Sequence, residues 1–294
     1  MEYLDNLRQS IRDVSARPQL ILPLLIQMLL AMLLSAGMLA LGIALVIPEG
    51  TTLSEEFFQR IFSEPGTMVV LGAVFLGALL LILLVTAYFQ AGLFGMIRSH
   101  LKKEVAGWKE FREGTSHYLS YAGFLVITVL LWLLLALPFL AGIGAILGKQ
   151  LIAGAALMIV GLVLLLILGL FLTMGILFAP PILFFKSTGA IETIKRSFAT
   201  LRASPVMALV TFGISTALSI AASLFTSLIG MPFRLIAMSA PSIAMTIMLV
   251  AVQIIGMAFQ LIVALIVLLF LFRNYLSYVE ETEITSGKRA ARKR

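Results

Sequence analysis

The chain has 294 residues, of which 61% are hydrophobic and 12% are charged, and its formal net charge is +7. Soluble domains carry roughly 25% charged residues, so this composition requires lipid as the solvent for most of the chain. Cysteine is absent, which excludes disulfides, thiolate nucleophiles and cysteine metal sites. The composition predicts a membrane protein, and a cytoplasmic membrane face explains the positive charge without nucleic acid as a partner.

Residues 1–17 predict an amphipathic helix on the membrane surface. Leu4, Leu7, Ile11 and Val14 recur at helical spacing and define its apolar face. Acidic and basic residues precede the first apolar run, and that run is longer than the apolar region of a signal peptide. We therefore expect no cleaved leader.

Six charge-free apolar runs follow, each longer than the roughly 20 residues that cross a bilayer as a helix. A backbone in lipid must satisfy its own hydrogen bonds, and the runs lack the alternation of barrel strands, so helices are predicted. The expected fold class is all-α: a polytopic protein with one six-helix transmembrane domain over residues 18–273. The predicted spans are 19–47, 67–97, 120–147, 152–184, 205–230 and 243–272.

Prolines within the spans predict local irregularity. Pro138 lies well inside the third span, and Pro180 and Pro181 lie near the end of the fourth. Proline removes a helix donor and clashes with the preceding turn, so kinks are expected at both places.

The distribution of Lys and Arg predicts the orientation. With six spans, all but three of the 21 cations fall in the segments on the side of the termini; the exceptions are Arg60, Lys149 and Arg234. This bias predicts cytoplasmic N and C termini in the cell (inner) membrane. In the outer loop, Ser54 is expected to cap a short helix that rests on the outer interface.

A second basic amphipathic segment, Ile191–Pro205, aligns in sequence with Leu4–Pro18 without a gap. We interpret the two as one device used twice, a surface helix that leads into a pair of spans. The alternative is that any two amphipathic helices look alike. The identical pairs are Ser10/Ser197, Ala16/Ala203 and Pro18/Pro205.

A third amphipathic stretch is predicted between spans 2 and 3. Leu101, Val105, Trp108 and Phe111 share a face that cations surround. A surface helix is thus expected before each of three hairpins, formed by spans 1–2, 3–4 and 5–6, all entered from the cytoplasm.

Residues 274–294 predict a cytoplasmic basic tail. It turns acidic at Glu280 and then ends in a run rich in Lys and Arg. One interpretation is contact with anionic lipid or a partner, and the other, which we favour, is a disordered, solvated tail that helps to fix topology.

Catalytic chemistry is not expected. The predicted spans contain no Asp, Glu, Lys, Arg or His, which argues against an ion-driven pump. His100 and His117 lie in the loop between spans 2 and 3, where a lone histidine is usually solvated. We find no phosphate loop, nucleophile elbow or metal motif, so we expect no enzyme, no cofactor and no metal site.

Mildly polar stripes mark three spans. Small and hydroxyl residues at helical spacing let helix backbones approach closely, and Gln or Ser can bond across the contact. Helix packing is the simpler interpretation, and a lining for a neutral or lipid-like substrate is the alternative. The stripes are Thr211, Ser215, Ser219, Ser223 and Ser227 in span 5; Gln253, Gly256, Gln260 and Ala264 in span 6; and Ala36, Ala40 and Ala44 in span 1.

Several short motifs resemble a known family. They are the run Tyr88–Gly92 at the end of span 2, Pro180–Pro181, Gly189–Ile191 and Ile194–Phe198 before span 5. In these the chain is similar to the glycerophosphodiester phosphodiesterase membrane-domain-like group and its relatives of unknown function. The resemblance implies a six-span membrane domain, sometimes fused to a soluble phosphodiesterase. No such catalytic domain is expected in these residues, so that activity is not carried over.

The favoured function is a non-enzymatic scaffold or accessory subunit. Its basic cytoplasmic face would contact anionic headgroups or a membrane or cytoplasmic protein partner. The alternative is a permease or transport subunit for a neutral or amphiphilic substrate, with the stripes of spans 5 and 6 along its path. The expected contacts of the basic face are Lys102, Lys103, Lys109, Lys195, Arg196 and Arg202.

Overall fold

The computed structural model describes residues 3–46, 65–103, 106–239 and 243–291. Every regular element in these ranges is helical, and six helices are long and apolar enough to cross a membrane. The predicted helical membrane class is confirmed to that extent. The cap at Ser54 and the position of Val105 lie outside the described residues.

A short 3₁₀ helix, Pro18–Ile21, joins the first α-helix to the second. The α-helices in chain order are α1 Tyr3–Ala16, α2 Leu22–Val46, α3 Pro65–Lys103, α4 Trp108–Thr115, α5 Tyr118–Leu147, α6 Leu151–Ile176, α7 Ala179–Lys186, α8 Ala190–Ala203, α9 Pro205–Ser239 and α10 Ile243–Ala291.

Two helices continue beyond the apolar runs. Helix α3 ends at Lys103, so Leu101 belongs to the second span and not to a third amphipathic stretch, which begins only at Trp108. Helix α10 continues to Ala291, so the C-terminal segment is helical over most of its length. This differs from the disordered tail that we favoured. A helix can continue through polar residues as long as its backbone hydrogen bonds form. Hydropathy marks only the end of the apolar run, and not the end of the helix.

The prolines have different effects. Helix α6 ends at Ile176, and α7 restarts at Ala179 with Pro180 in its first turn, where a missing N–H costs nothing. Pro138 instead lies inside an unbroken α5. A Cβ added at Gly161 of α6 would lie 2.9 Å from the Pro138 carbonyl carbon, so the backbones of α5 and α6 approach closely beside this proline.

The long helices pack as three consecutive pairs, α2 with α3, α5 with α6, and α9 with α10. Small residues lie at the contacts within the pairs. A Cβ at Gly142 would lie 2.6 Å from Met158 Cγ, and one at Gly256 would overlap Thr226. Glycine therefore sets the close spacing within at least two of the pairs.

Buried side chains concentrate at one end of the bundle, which we call the core end. Phe94 of α3, Phe184 of α7 and Phe272 of α10 are almost fully buried there. The ring centroids of Phe94 lie 5.3 Å from those of Phe184 and 5.4 Å from those of Phe272. One aromatic ring from each pair, or from its extension, thus meets at the centre of the core end.

The short helices α1, α4 and α8 also lie at the core end. Helix α4 packs on α3, and α8 packs on α6 and α7, so each contacts the pair that precedes it in the chain. Helix α1 instead packs on α10, which follows it by more than 200 residues. The three contacts form a closed cycle around the core end.

Helices α1 and α8 are the two members of the predicted repeat. Both have 14 residues and are followed by a helix with proline at its start. The matched Ser10 and Ser197 are both fully buried, and the matched Val14 and Leu201 are 6% and 7% exposed. Equal burial at matched positions supports repetition over a chance likeness of composition.

Candidate functional site

An inner polar cluster, defined as Asn6, Gln9, Asp13, His100, Arg273 and Asn274, lies between α1, α3 and α10. Asp13 accepts a hydrogen bond from the Arg273 guanidinium and lies 3.3 Å from His100 Nε2. Arg273 also donates to Gln9 Oε1 at 2.8 Å. His100 is only 8% exposed, so the expectation that it is solvated is wrong. Hydropathy could not reveal the pairing of Asp13 with Arg273, because these residues are 260 positions apart in the chain.

A second part of the cluster joins three helices through side-chain amides. Asn6 donates to Asn274 Oδ1 at 2.8 Å, and Asn274 donates to Thr211 Oγ1 at 3.1 Å. Asn274 is fully buried, and both the oxygen and the nitrogen of its side-chain amide are hydrogen-bonded. A buried amide with this satisfaction fixes the register of α1 against α9 and α10. Thr211 of the predicted stripe is thereby used for packing.

Helix α4 is seated on glycines of α3. The ring of Phe111 occupies the space where a Cβ at Gly92 would be, 2.5 Å from Phe111 Cζ. A Cβ at Gly95 would lie 2.7 Å from the backbone nitrogen of Gly114. Side chains at these glycines would hold the two helices apart. The segment Tyr88–Gly92, used for the family resemblance, is part of this seat.

Helix α8 has a similar seat on the preceding pair. A Cβ at Gly175 would lie 2.8 Å from Phe198 Cδ1, and Phe198 stacks near Phe171 with ring centroids 5.7 Å apart. Phe198 of α8 therefore contacts protein, whereas Ile191 at the start of the helix is exposed, as are Lys195 and Arg202.

His117 links the start of α5 to the end of α7. Its Nε2 lies 3.1 Å from Ser187 Oγ, and its Nδ1 lies 3.1 Å from Ser116 Oγ. Partial burial, aided by the charge of Arg98, lowers the pKa of His117 below its usual 6.5. His117 is thus a partly buried side chain that bridges Ser116 and Ser187.

The predicted cations of α8 lie on two sides of the helix. Arg196 and Lys186 line a cavity of about 360 Å³ between α7, α8 and α10, together with Thr200 and Tyr278. Lys195 and Arg202 line a separate depression beside Phe198. Arg196 also donates to Glu192 at 2.7 Å, and this bond lowers the pKa of the Glu192 carboxyl.

Of the predicted cations between spans 2 and 3, Lys102 and Lys109 line neither of these two depressions. Lys102 Nζ lies 5.2 Å from the ring centroid of Phe185, at the end of α7. Lys109 is exposed on α4. For Lys103, at the end of α3, only the backbone is described. Sequence reasoning did not select Lys186, which its position after Phe184 and Phe185 could have suggested.

The predicted stripes mostly face outward. Gln253 and Gln260 are exposed, as are Ala36, Ala40 and Ala44, so helix packing does not explain them. In span 6 the residue of the stripe that packs closely is Gly256. In span 5 a groove runs beside Ser215, Ser219, Ser223 and Ser227.

Among the described residues, no group of three or more His, Asp or Glu side chains could hold a metal ion. Comparisons with protein-family models, with curated proteins and with solved structures found no match. In the described residues, the core end offers a ligand exposed cations and hydroxyls, and it also contains the inner polar cluster.

Proposed function

We propose that this chain is a non-enzymatic, multi-pass protein of the cell membrane, a scaffold or accessory subunit whose cytoplasmic face binds anionic phospholipid headgroups. In this proposal α1, α4 and α8 are amphipathic surface helices. Each leads into a hairpin of two spans from the cytoplasm, and both termini are cytoplasmic. The observation that carries the proposal is the cavity lined by Lys186 and Arg196.

The charge distribution supports a cytoplasmic core end. The cations of α4, α7 and α8 lie there, whereas Lys149 lies in the turn at the opposite end, between α5 and α6. Cytoplasmic segments of membrane proteins are enriched in Lys and Arg, and anionic lipids concentrate at that face. Exposed apolar side chains on the short helices suit the interface, and they include Leu4, Trp108 and Ile191.

The lining of the cavity matches a phosphodiester. Arg196 and Lys186 supply two cations, and the hydroxyl of Tyr278 can donate to a phosphate oxygen, whereas the Thr200 hydroxyl already donates to the Arg196 carbonyl oxygen. Ile182 and Val279 add apolar wall. The pair of Arg196 with Glu192 is about half exposed, and such surface pairs contribute roughly 0–1 kcal/mol, so a phosphate can compete for the guanidinium.

The test is retention of phosphatidylglycerol, counted by native mass spectrometry after release from mixed phosphatidylcholine–phosphatidylglycerol nanodiscs. The variant Lys186→Gln/Arg196→Gln should retain about ten-fold less, since roughly 1.4 kcal/mol of lost interaction corresponds to a factor of ten. The matched control, Lys195→Gln/Arg202→Gln, also removes two positive charges, both from α8 and outside the cavity, and should retain the lipid.

The outcomes separate a site from general attraction. Equal loss in both variants would indicate diffuse charge, and no loss in either would overturn the proposal. Glu192→Gln provides an independent arm. It releases Arg196 from its carboxylate, so retention of phosphatidylglycerol should rise about two- to five-fold. Mass spectrometry of the same preparation also reports any stoichiometric protein partner, which would favour an accessory subunit.

A further inference from the structure

A groove lies along the membrane-facing side of α9, where it passes the end of α6. Its volume is about 490 Å³, and hydroxyl and apolar residues alternate around it. The groove lies at the seam between two helix pairs. Helix α9 contributes most of the lining, and α6 adds Thr173 near its end, with Leu177 just beyond.

The hydroxyls of α9 form a ladder along the groove. Ser215, Ser219, Ser223 and Ser227 all line it. With a rise of 1.5 Å per residue, successive hydroxyls are about 6 Å apart, and the ladder extends about 18 Å. That length is more than half of the roughly 30 Å hydrocarbon thickness. The groove therefore offers hydrogen bonds at depths where lipid offers none.

Ser215 is the most informative member of the ladder. It is 8% exposed, and its Oγ is buried without a hydrogen-bond partner. Its neighbour one turn later, Ser219, instead donates to the Ser215 carbonyl oxygen at 2.9 Å. A buried hydroxyl without a partner costs roughly 1–3 kcal/mol, so a ligand that supplies an acceptor would recover that cost.

The lining also selects the class of ligand. None of its residues is ionisable, and a charge without a partner is strongly disfavoured in such surroundings. Ile220 and Leu224 are more than half exposed and form an apolar flank along the hydroxyls. An uncharged polar group joined to acyl chains would satisfy both surfaces at once.

We propose that this groove binds an uncharged glycerolipid of the diacylglycerol class. Its ester carbonyls accept hydrogen bonds from Ser215 and Ser223, and its free hydroxyl donates to Ser219, whose own proton is bonded to the Ser215 carbonyl oxygen. Its acyl chains lie on Ile220 and Leu224. The site is separate from the basic cavity at the core end. The groove is consistent with the alternative function predicted from the serine spacing, a path for a neutral or amphiphilic substrate.

The experiment uses a diacylglycerol with a diazirine in its acyl chain, photolysed with the full-length protein in phosphatidylcholine nanodiscs. Peptide mapping should place the label on the segment that contains Ile220 and Leu224. The variant Ser215→Ala/Ser219→Ala/Ser223→Ala should lower that labelling at least five-fold. The control Ser35→Ala removes an exposed hydroxyl from α2 and should leave it unchanged.

A second variant guards against loss of folding. Ser219→Leu places an apolar side chain at an exposed position and fills the groove, and it should also lower labelling, with thermal stability unchanged. Unchanged labelling in either folded variant would overturn the proposal. Label spread evenly over all spans would also overturn it, as annular lipid. Competition by unlabelled phosphatidylglycerol as strong as by unlabelled diacylglycerol would refute the preference for an uncharged headgroup.

Discussion

Substituting Gly95 by alanine tests the seat of α4 on α3. The added Cβ would lie 2.6 Å from the Glu110 carbonyl oxygen and 2.7 Å from the Gly114 nitrogen. Both are backbone atoms, so no rotamer change can relieve the overlap. Carbon and its neighbours pack best at about 3.5–4.0 Å, so α4 must move away by about 1 Å.

Gly72→Ala in the same helix is the matched control, since nothing lies within 4 Å of its added Cβ. Replacing glycine by alanine in a helix interior stabilises by roughly 0.5–1 kcal/mol, and both variants share this contribution. Their difference isolates the overlap, which overpacking studies place at about 1–3 kcal/mol. We expect Gly95→Ala to be less stable than Gly72→Ala by that amount.

The assay is reversible unfolding in mixed micelles, followed by tryptophan fluorescence. The chain has two tryptophans, so Trp132→Phe leaves Trp108 of α4 as the reporter. Displacement of α4 should also shift the Trp108 emission of folded Gly95→Ala relative to Gly72→Ala. Equal unfolding free energies and equal emission in the two variants would show that α4 does not lie against Gly95.

Two further predictions concern the ion pair and the histidine bridge. Asp13→Asn should weaken hydrogen-exchange protection of α1 by at least ten-fold. Asp13 and its partner Arg273 are only 18% and 21% exposed, and hydrogen bonds between charged groups contribute roughly 1.5–3 kcal/mol. The exposed substitution Asp5→Asn is the control, and equal protection in the two variants would contradict the pairing. The pKa of His117 is lowered in the folded state, so the unfolded chain binds the proton first as the pH falls below 6.5. Unfolding free energy should therefore fall with acidification through that range, and His117→Gln should flatten the slope; identical slopes would refute this account.

Much of the architecture could be predicted from local sequence. Long apolar runs locate the six candidate spans, and helical spacing with a following proline locates α1 and α8 within a residue or two. The sequence predicts a kink at Pro180, and the structure instead has one helix end at Ile176 and another begin at Ala179. These features depend on short stretches of chain, so composition and periodicity suffice to find them.

The polar cluster and the glycine seats could not be predicted. Asn6 and Asn274 are 268 positions apart, and neither lies in a recognisable motif. Gly92 and Gly95 read as ordinary small residues of a span until α4 is placed on them. The stripes misled for the same reason: spacing places Ala36 and Ala40 on one face but does not say what covers that face.

The cyclic packing of the short helices has a consequence for biosynthesis. Helix α1 leaves the ribosome well before its partner α10 is made. Until then Asn6 and Asp13 have neither Asn274 nor Arg273 to bond. In a chain that has not yet reached α10, Asn6 therefore lacks Asn274, and Asp13 has only His100 to bond. Truncation before Arg273 should shorten the cellular lifetime of the chain, because α1 then presents polar groups without their partners.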